Sequence, residues 1–251
     1  MAVQGGFESS YPDPRAGVFE TILVRGGVPI ELDAHLERLR LSVEALYGSP
    51  PPDARAEILA AARGGELGRL RLTIEPGHDG ALRSSIVVAP FDPNNLFPTG
   101  PFTTALHILR VDRAWGDHKW ADRDMLARAE AAAGPGAAPL LVGPDDRVYE
   151  ASRANVFVVR DDVLLTPPLD GTILPGVARA GVLAVASDLG LETAEAALTL
   201  PEALAAEEVF LTGSLRGVEP AHELDGTSLP RDGARTTALA EALKRRWFGD
   251  L

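Results

Sequence analysis

The sequence predicts an α+β fold in two domains, and three observations carry that expectation. Strands come first with helices inserted between them, not in regular βαβ alternation, which disfavours a doubly wound parallel sheet. No internal repeat is present, so a solenoid or propeller is not expected. The stretch FDPNNLFPTGP at 91–101 packs three Pro, one Gly and two Asn into eleven residues, a composition that neither a helix nor a central strand accepts. A boundary there gives a small α/β domain at 1–92, a linker at 93–101 and a large domain at 102–251.

The elements follow from periodicity and punctuation. VFETILV (18–24), a glycine turn and VPIEL read as two strands. A helix follows over 33–47, with Asp33 as its cap, Leu32, Leu36, Leu39, Val43 and Leu46 recurring at helical spacing, and Gly48 at its stop. PPDARAEILAAARGG is a second, shorter helix, and RLRLTIEPG and SSIVVAP are strands around a polar turn. Past the boundary, TTALHILRV is a strand and KWADRDMLARAEAAA (119–133) a helix closed by GPG. PLLVG, PDDR and VYEAS form one hairpin, and NVFVVR, DD and VLLT another. A turn-rich loop, TPPLDGTILPG, runs into the helix VARAGVLAVASDLG, which stops at Gly190. PEALAAEE is helical, EVFLTG a short apolar strand and TTALAEALKRRW a terminal helix.

Composition bounds the function. The 251 residues are 45% hydrophobic and 24% charged with mean hydropathy +0.03, enough for a sizeable core. A net charge of −12 argues against a general nucleic-acid or anionic-membrane binder while leaving room for a local basic pocket. Cysteine is absent, which removes disulfides, thiolate zinc sites and Cys nucleophiles. The five His, at 35, 78, 107, 118 and 222, show no i, i+4 pair, so no metal site is expected. With no basic-then-apolar leader at the start and no 18-residue apolar run, a soluble cytoplasmic protein is expected. Of 24 basic residues only Lys119 and Lys244 are lysine.

Several residues admit chemistry beside a plainer reading. Lys119 would open the 119–133 helix with Arg123 one turn later on the same face, and both the helix N-terminus and the guanidinium disfavour a protonated amine. That suits a Schiff-base lysine, although a solvated surface lysine is the commoner use of such a position. The start of the helix after TILPG leaves free N–H groups at Gly176, Val177 and Ala178 that suit a phosphate, or that reflect ordinary capping. LTGSLRG (211–217) offers the Ser214 hydroxyl and backbone amides, as many small-residue turns do without binding anything. Arg38 lies on the flank of the first helix, where it is either solvated or set beside a cleft to grip a phosphate. Glu150 ends the VYE strand, as an exposed carboxylate or as a partner for a protonated ring nitrogen.

Six fragments, in order, carry a resemblance: GVFET (17–21), HLERL (35–39), HK (118–119), EASRANVF (150–157), TPPLDGTILPGVAR (166–179) and EVFLTGSLRGVEP (208–220). Together they resemble the fold-type IV pyridoxal-phosphate enzymes, the class IV aminotransferases, over about Gly17 to Gly226. The resemblance implies a two-domain fold like that of D-amino acid aminotransferase, pyridoxal 5'-phosphate as cofactor, a small-molecule substrate and a homodimer. It assigns the cofactor amine to Lys119, the ring nitrogen to Glu150, the ring face to Leu174, and the phosphate to Arg38, Val177, Ala178 and Ser214. Ala178 and Ser214 each stand where the family often has Thr, so one hydroxyl contact is missing.

Three activities share the family's scaffold: branched-chain transamination, D-amino acid transamination, and the lyase reaction that turns 4-amino-4-deoxychorismate into 4-aminobenzoate and pyruvate. KWADR and SLRGVEP are more similar to the lyases, so the lyase is expected and an aminotransferase is the alternative. A catalytically silent homologue is a third reading. Arg216 and Arg71 are the candidates for a substrate carboxylate, because a planar fork suits it.

Overall fold

The computed structural model describes residues 11–100, 103–230 and 233–249. The chain divides into two compact units, one holding Tyr11–Leu96 together with Asp117–Arg123, the other Phe97–Gly116 and the chain from Asp124 onward. The change of unit at 96/97 falls within the Pro-rich stretch. The continuous second domain expected over 102–251 is interrupted, however, because the segment carrying Lys119 belongs to the first unit.

The first unit is an antiparallel sheet in the order β2-β1-β3-β4, built from β1 (Val18–Arg25), β2 (Val28–Pro29), β3 (Leu67–Pro76) and β4 (Leu82–Pro90). The helix α1 (Leu32–Tyr47) packs on β1, and α2 (Arg55–Ala62) packs near β2 and β4. Val18, Ile22, Val24, Leu39, Val43, Ile58, Leu70, Leu72 and Ile74 form its buried interior. The expected VPIEL strand shrinks to the two residues of β2, because Glu31 turns left-handed at φ 52 and α1 begins at Leu32. Glu31, left-handed at φ 52, occupies the N-cap position expected for Asp33, which lies in the first turn. Gly48 ends the helix as expected, left-handed at φ 72.

In the second unit β5 (Thr104–Arg110), α3 (Asp124–Ala133), β6 (Ala137–Val142), β7 (Arg147–Ala151), β8 (Asn155–Arg160) and β9 (Val163–Thr166) come first. They are followed by α4 (Val177–Asp188), β10 (Thr193–Glu195), β11 (Leu198–Thr199), α5 (Leu200–Leu204), β12 (Glu208–Gly213), β13 (Gly217–Leu224), β14 (Thr227–Ser228) and α6 (Ala234–Phe248). The mixed sheet runs β10-β9-β8-β12-β13-β5-β6-β7-β11, with β14 on β13. In the β8–β9 hairpin both turn residues, Asp161 and Asp162, are left-handed at φ 51 and φ 63, as a tight two-residue turn requires. Leu106, Leu140, Val148, Val156, Val158 and Leu211 anchor one core layer, while the rings of Phe157 and Phe210 stack at 5.2 Å.

Two further elements differ from expectation. The helix expected from Lys119 begins only at Asp124. Residues 119–121 spend their backbone groups on β1 instead: the Phe19 N–H donates to the Lys119 carbonyl at 2.9 Å, the Ala121 N–H donates to the Gly17 carbonyl at 3.0 Å, and Trp120 bridges Val18. Gly17 itself lies tight against β3, where a Cβ would fall 2.2 Å from the Ile74 carbonyl oxygen, and its φ is +88. The second difference is β13, a strand between β12 and β5 where the sequence suggested only a turn.

Candidate active site

Three of the nine predicted site residues, Arg38, Arg71 and Lys119, lie in the first unit. Glu20 stands in the middle of β1, among apolar neighbours, and is 1% exposed. A carboxylate so placed must be paired. It accepts Arg38 Nε at 2.8 Å and Arg38 Nη2 at 2.6 Å, and its second oxygen lies 2.6 Å from His35 Nδ1. Arg38 and His35 are one turn apart on the face of α1 that meets β1, so one helix face delivers both partners. Burial works to raise the Glu20 pKa, but the Arg38 charge and the hydrogen bonds from His35 and Arg38 prevail and hold it at about 2. The His35 pKa is lowered, chiefly by burial and also by the charges of Arg38 and Lys119, against the pull of Glu20. An ionised Glu20 can only accept, so a neutral His35 carries its proton on Nδ1. Arg38, with a solvated flank as its plainer reading, is 8% exposed because β1 supplies it a partner.

Lys119 is half-buried, with Nζ 5.0 Å from the Phe19 ring centroid. The helix N-terminus invoked for its amine is absent, because the segment is extended, and Arg123 is not on a shared helical face. His118 Nδ1 lies 3.1 Å from Ser42 Oγ, and Trp120 is buried beneath the edge of the His118 ring. The Arg71 guanidinium lies 3.8 Å over the Phe19 ring, and burial together with the charges of Arg123 and Arg69 lowers its pKa. Phe19 thus has both an arginine and the lysine against its ring.

The other six residues lie in the second unit. Glu150, at the penultimate position of β7, is half-buried and engaged, not a bare exposed strand end. Its Oε2 accepts Asn155 Nδ2 at 3.1 Å and the Leu174 N–H at 3.3 Å, while the same Asn155 nitrogen donates to the Leu174 carbonyl at 2.9 Å. Asn155 therefore ties the carboxylate to the loop before α4. A Cβ on Gly176 would fall 2.0 Å from Asn155 Oδ1, so the glycine lets that loop close on the asparagine. Val177 and Ala178 begin α4 as buried residues, with no side-chain cap and no acidic residue in the first turn. A buried helix start of this kind suits an anion.

Ser214 lies half-buried in the turn between β12 and β13. Beside it Thr212 is 2% exposed, and its Oγ1 has no hydrogen-bond partner among the described residues. Arg216 Nη2 pairs with Glu219 at 2.7 Å, and Arg153 Nη2 reaches the same carboxylate oxygen at 3.4 Å. Glu219 is 2% exposed, so Arg216 is held by an internal carboxylate. Among the described residues no group of three or more His, Asp or Glu is placed to hold a metal ion, and no helix is long and apolar enough to cross a membrane.

Sequence reasoning missed Glu20, His35, Asn155 and Thr212. A charged residue at an inward position of an apolar strand was the available signal for Glu20, and the His-x-x-Arg spacing was that for His35. Nothing in the sequence distinguishes Asn155 or Thr212 from other polar residues beside a turn.

Comparison with known proteins gives the family of the chain. A branched-chain-amino-acid aminotransferase of Pseudomonas aeruginosa is 32% identical over 124 residues, 49% of this chain and 39% of that protein. The chain thus spans about two fifths of the length of the curated relatives it matches. Among solved structures, the PLP-bound form of a hypothetical aminotransferase from Mycobacterium tuberculosis superposes with a TM-score of 0.83 at 25% identity, covering 100% of this chain and 96% of that one. The 4-amino-4-deoxychorismate lyase of Pseudomonas aeruginosa gives a TM-score of 0.78 at 26% identity, covering 93% and 92%. Residues 17–224 match the amino-transferase class IV family, and the chain belongs to that family.

Proposed function

We propose that this chain is a pyridoxal-phosphate-dependent lyase that converts 4-amino-4-deoxychorismate into 4-aminobenzoate and pyruvate. The cofactor reading is supported by the donor sets in the two units. Lys119 supplies an amine, Arg38 a buried guanidinium, and the start of α4 an uncapped set of amides in a first turn without acidic residues. Glu150 is a carboxylate fixed by two hydrogen bonds, and Thr212 holds an orphaned buried hydroxyl. These groups fit an aldehyde, a phosphate dianion and a protonated ring nitrogen. Lys119 would hold the cofactor, Glu150 would pair with its ring nitrogen, Leu174 would cover the ring, and Arg38, Val177, Ala178 and Ser214 would bind its phosphate.

The bound cofactor supplies an electron sink for bond breaking at the carbon that carries the substrate amine. Lys119 Nζ would take the proton from that carbon; the enolpyruvyl group would leave with the electrons of its C–O bond and gain a proton to become pyruvate, and the ring would become aromatic. Glu150, anchored by Asn155 and Leu174, would keep a proton on the ring nitrogen. Arg71 beside Phe19 is the better placed of the two carboxylate candidates, since Arg216 is already engaged by Glu219. The products together contain the atoms of the substrate, so no amino acceptor enters.

The observation that carries the lyase over its relatives is the pair KWADR and SLRGVEP, the first on the segment that returns to β1 and the second across the β12–β13 turn. The names of the curated relatives favour a second reading, an aminotransferase using a 2-oxo acid. Pyruvate release from aminodeoxychorismate with no oxo acid present is the expected result. Turnover that requires both an amino acid and 2-oxoglutarate would select the aminotransferase, and a protein that takes up no pyridoxal phosphate would remove both.

A further inference from the structure

We propose that Glu20 and His35 are positioning residues that lock the plane of the Arg38 guanidinium, so that its N–H groups not spent on Glu20 are held ready for an anion, and so make this protein select phosphorylated over unphosphorylated pyridoxal. The inference rests on the cofactor reading above and concerns two residues that reading does not use.

Two parallel bonds from Nε and Nη2 to the two Glu20 oxygens, at 2.8 and 2.6 Å, fix both the plane and the direction of the guanidinium. The third contact, from His35 Nδ1 at 2.6 Å, fixes the carboxylate in turn. All three side chains are buried, at 1%, 1% and 8% exposure, and they join β1 to α1, so the fork is anchored to two elements rather than to a loop. An unanchored arginine loses much rotamer freedom when it grips an anion, whereas one already ordered by folding does not. A neutral His35 leaves the trio with no net charge, so orientation of N–H groups, not bulk charge, carries its preference for a phosphate.

Replacing Glu20 by Gln keeps the shape but turns one acceptor into a donor, which cannot receive the Arg38 Nη2 hydrogen. The arginine then loses half of its fork. Removing the negative charge would by itself favour an anion, so the direction of the change separates positioning from plain electrostatics.

The test titrates cofactor-free protein with pyridoxal phosphate and, in parallel, with pyridoxal, following absorbance and tryptophan fluorescence. Glu20→Gln is expected to weaken pyridoxal phosphate about tenfold while leaving pyridoxal within about twofold, and His35→Gln to act in the same direction by about threefold. The His35 variant removes one contact only and serves if Glu20→Gln does not fold by circular dichroism. Unchanged or tighter phosphate-ligand binding in the folded variants, or equal weakening of both ligands, would overturn the inference while leaving the cofactor reading intact. Wild-type protein that binds neither ligand would overturn that reading and this inference with it.

Discussion

His35 and Glu20 give the first unit an acid sensitivity whose sign follows from their shifts. His35 is buried and its pKa is lowered from the ordinary 6.5, so on acidification the unfolded chain takes up a proton that the folded chain resists. The stability it contributes is fully present above about 6.5 and is lost as pH falls below that value. Glu20, held at about 2 against an ordinary 4.5, acts in the same direction lower down, between about pH 4.5 and 2. Thermal unfolding at pH 7.5, 6.5 and 5.5 should therefore show the wild type losing stability more steeply than His35→Gln, which has no group to titrate there. Parallel curves would mean that His35 is not held neutral. At this scale Lys119 stands out as a candidate because lysine is scarce and arginine cannot replace its amine. Glu20 does not: inside VFETILV it reads as an interruption of a strand, and only the fold shows that α1 brings the Arg38 guanidinium and the His35 Nδ1–H to meet it.

Helix α3 shows where element-level reading fails. Met125, Leu126 and Ala129 give a helical stripe, and nothing in the residues before them forbids extending it back to Lys119. The segment is extended because its backbone groups pair with β1, a partner far away in sequence, and periodicity cannot report such a partner. Pro220 concealed β13 in a similar way, since proline inside a sheet argues against a central strand. The parallel ladder to β5 starts at Ala221, one residue beyond it. Helix α6 adds a third long-range dependence. Glu208, from the start of β12, accepts Thr236 N at 2.7 Å, Thr236 Oγ1 at 2.6 Å and Arg235 N at 3.1 Å, so the cap of this helix comes from another element. Glu208→Ala should leave these donors unsatisfied and cost about 1–3 kcal/mol, read as a lower urea midpoint with an unchanged slope. A midpoint equal to wild type would show that water satisfies the helix start without the carboxylate.

The division into two units changes at 96/97, inside the Pro-rich stretch at 91–101, whereas the return of Asp117–Arg123 to the first unit has no signal in the sequence, because it depends on which strand edge accepts that segment. The return puts Lys119 in the same unit as Arg38, while Glu150, Leu174, Val177, Ala178 and Ser214 belong to the other. The composition of the whole chain then makes the assignment of the amine unusually direct to test. With 24 basic residues of which only Lys119 and Lys244 are lysine, the chain has two side-chain amines and an α-amino group able to form and retain a reduced adduct with an aldehyde. Lys244 lies near the C-terminal end of α6 beside Arg245 and Arg246, outside the unit that holds the segment against β1. Borohydride reduction of the cofactor-loaded protein is expected to add one pyridoxyl phosphate group per chain. Trypsin should then leave the adduct on AWGDHKWADR (114–123), because the modified lysine resists cleavage while Arg113 and Arg123 are cut. An adduct on Lys244 or the α-amino group in place of Lys119, or label spread over all three amines, would show that the extended segment against β1 does not present the reactive lysine.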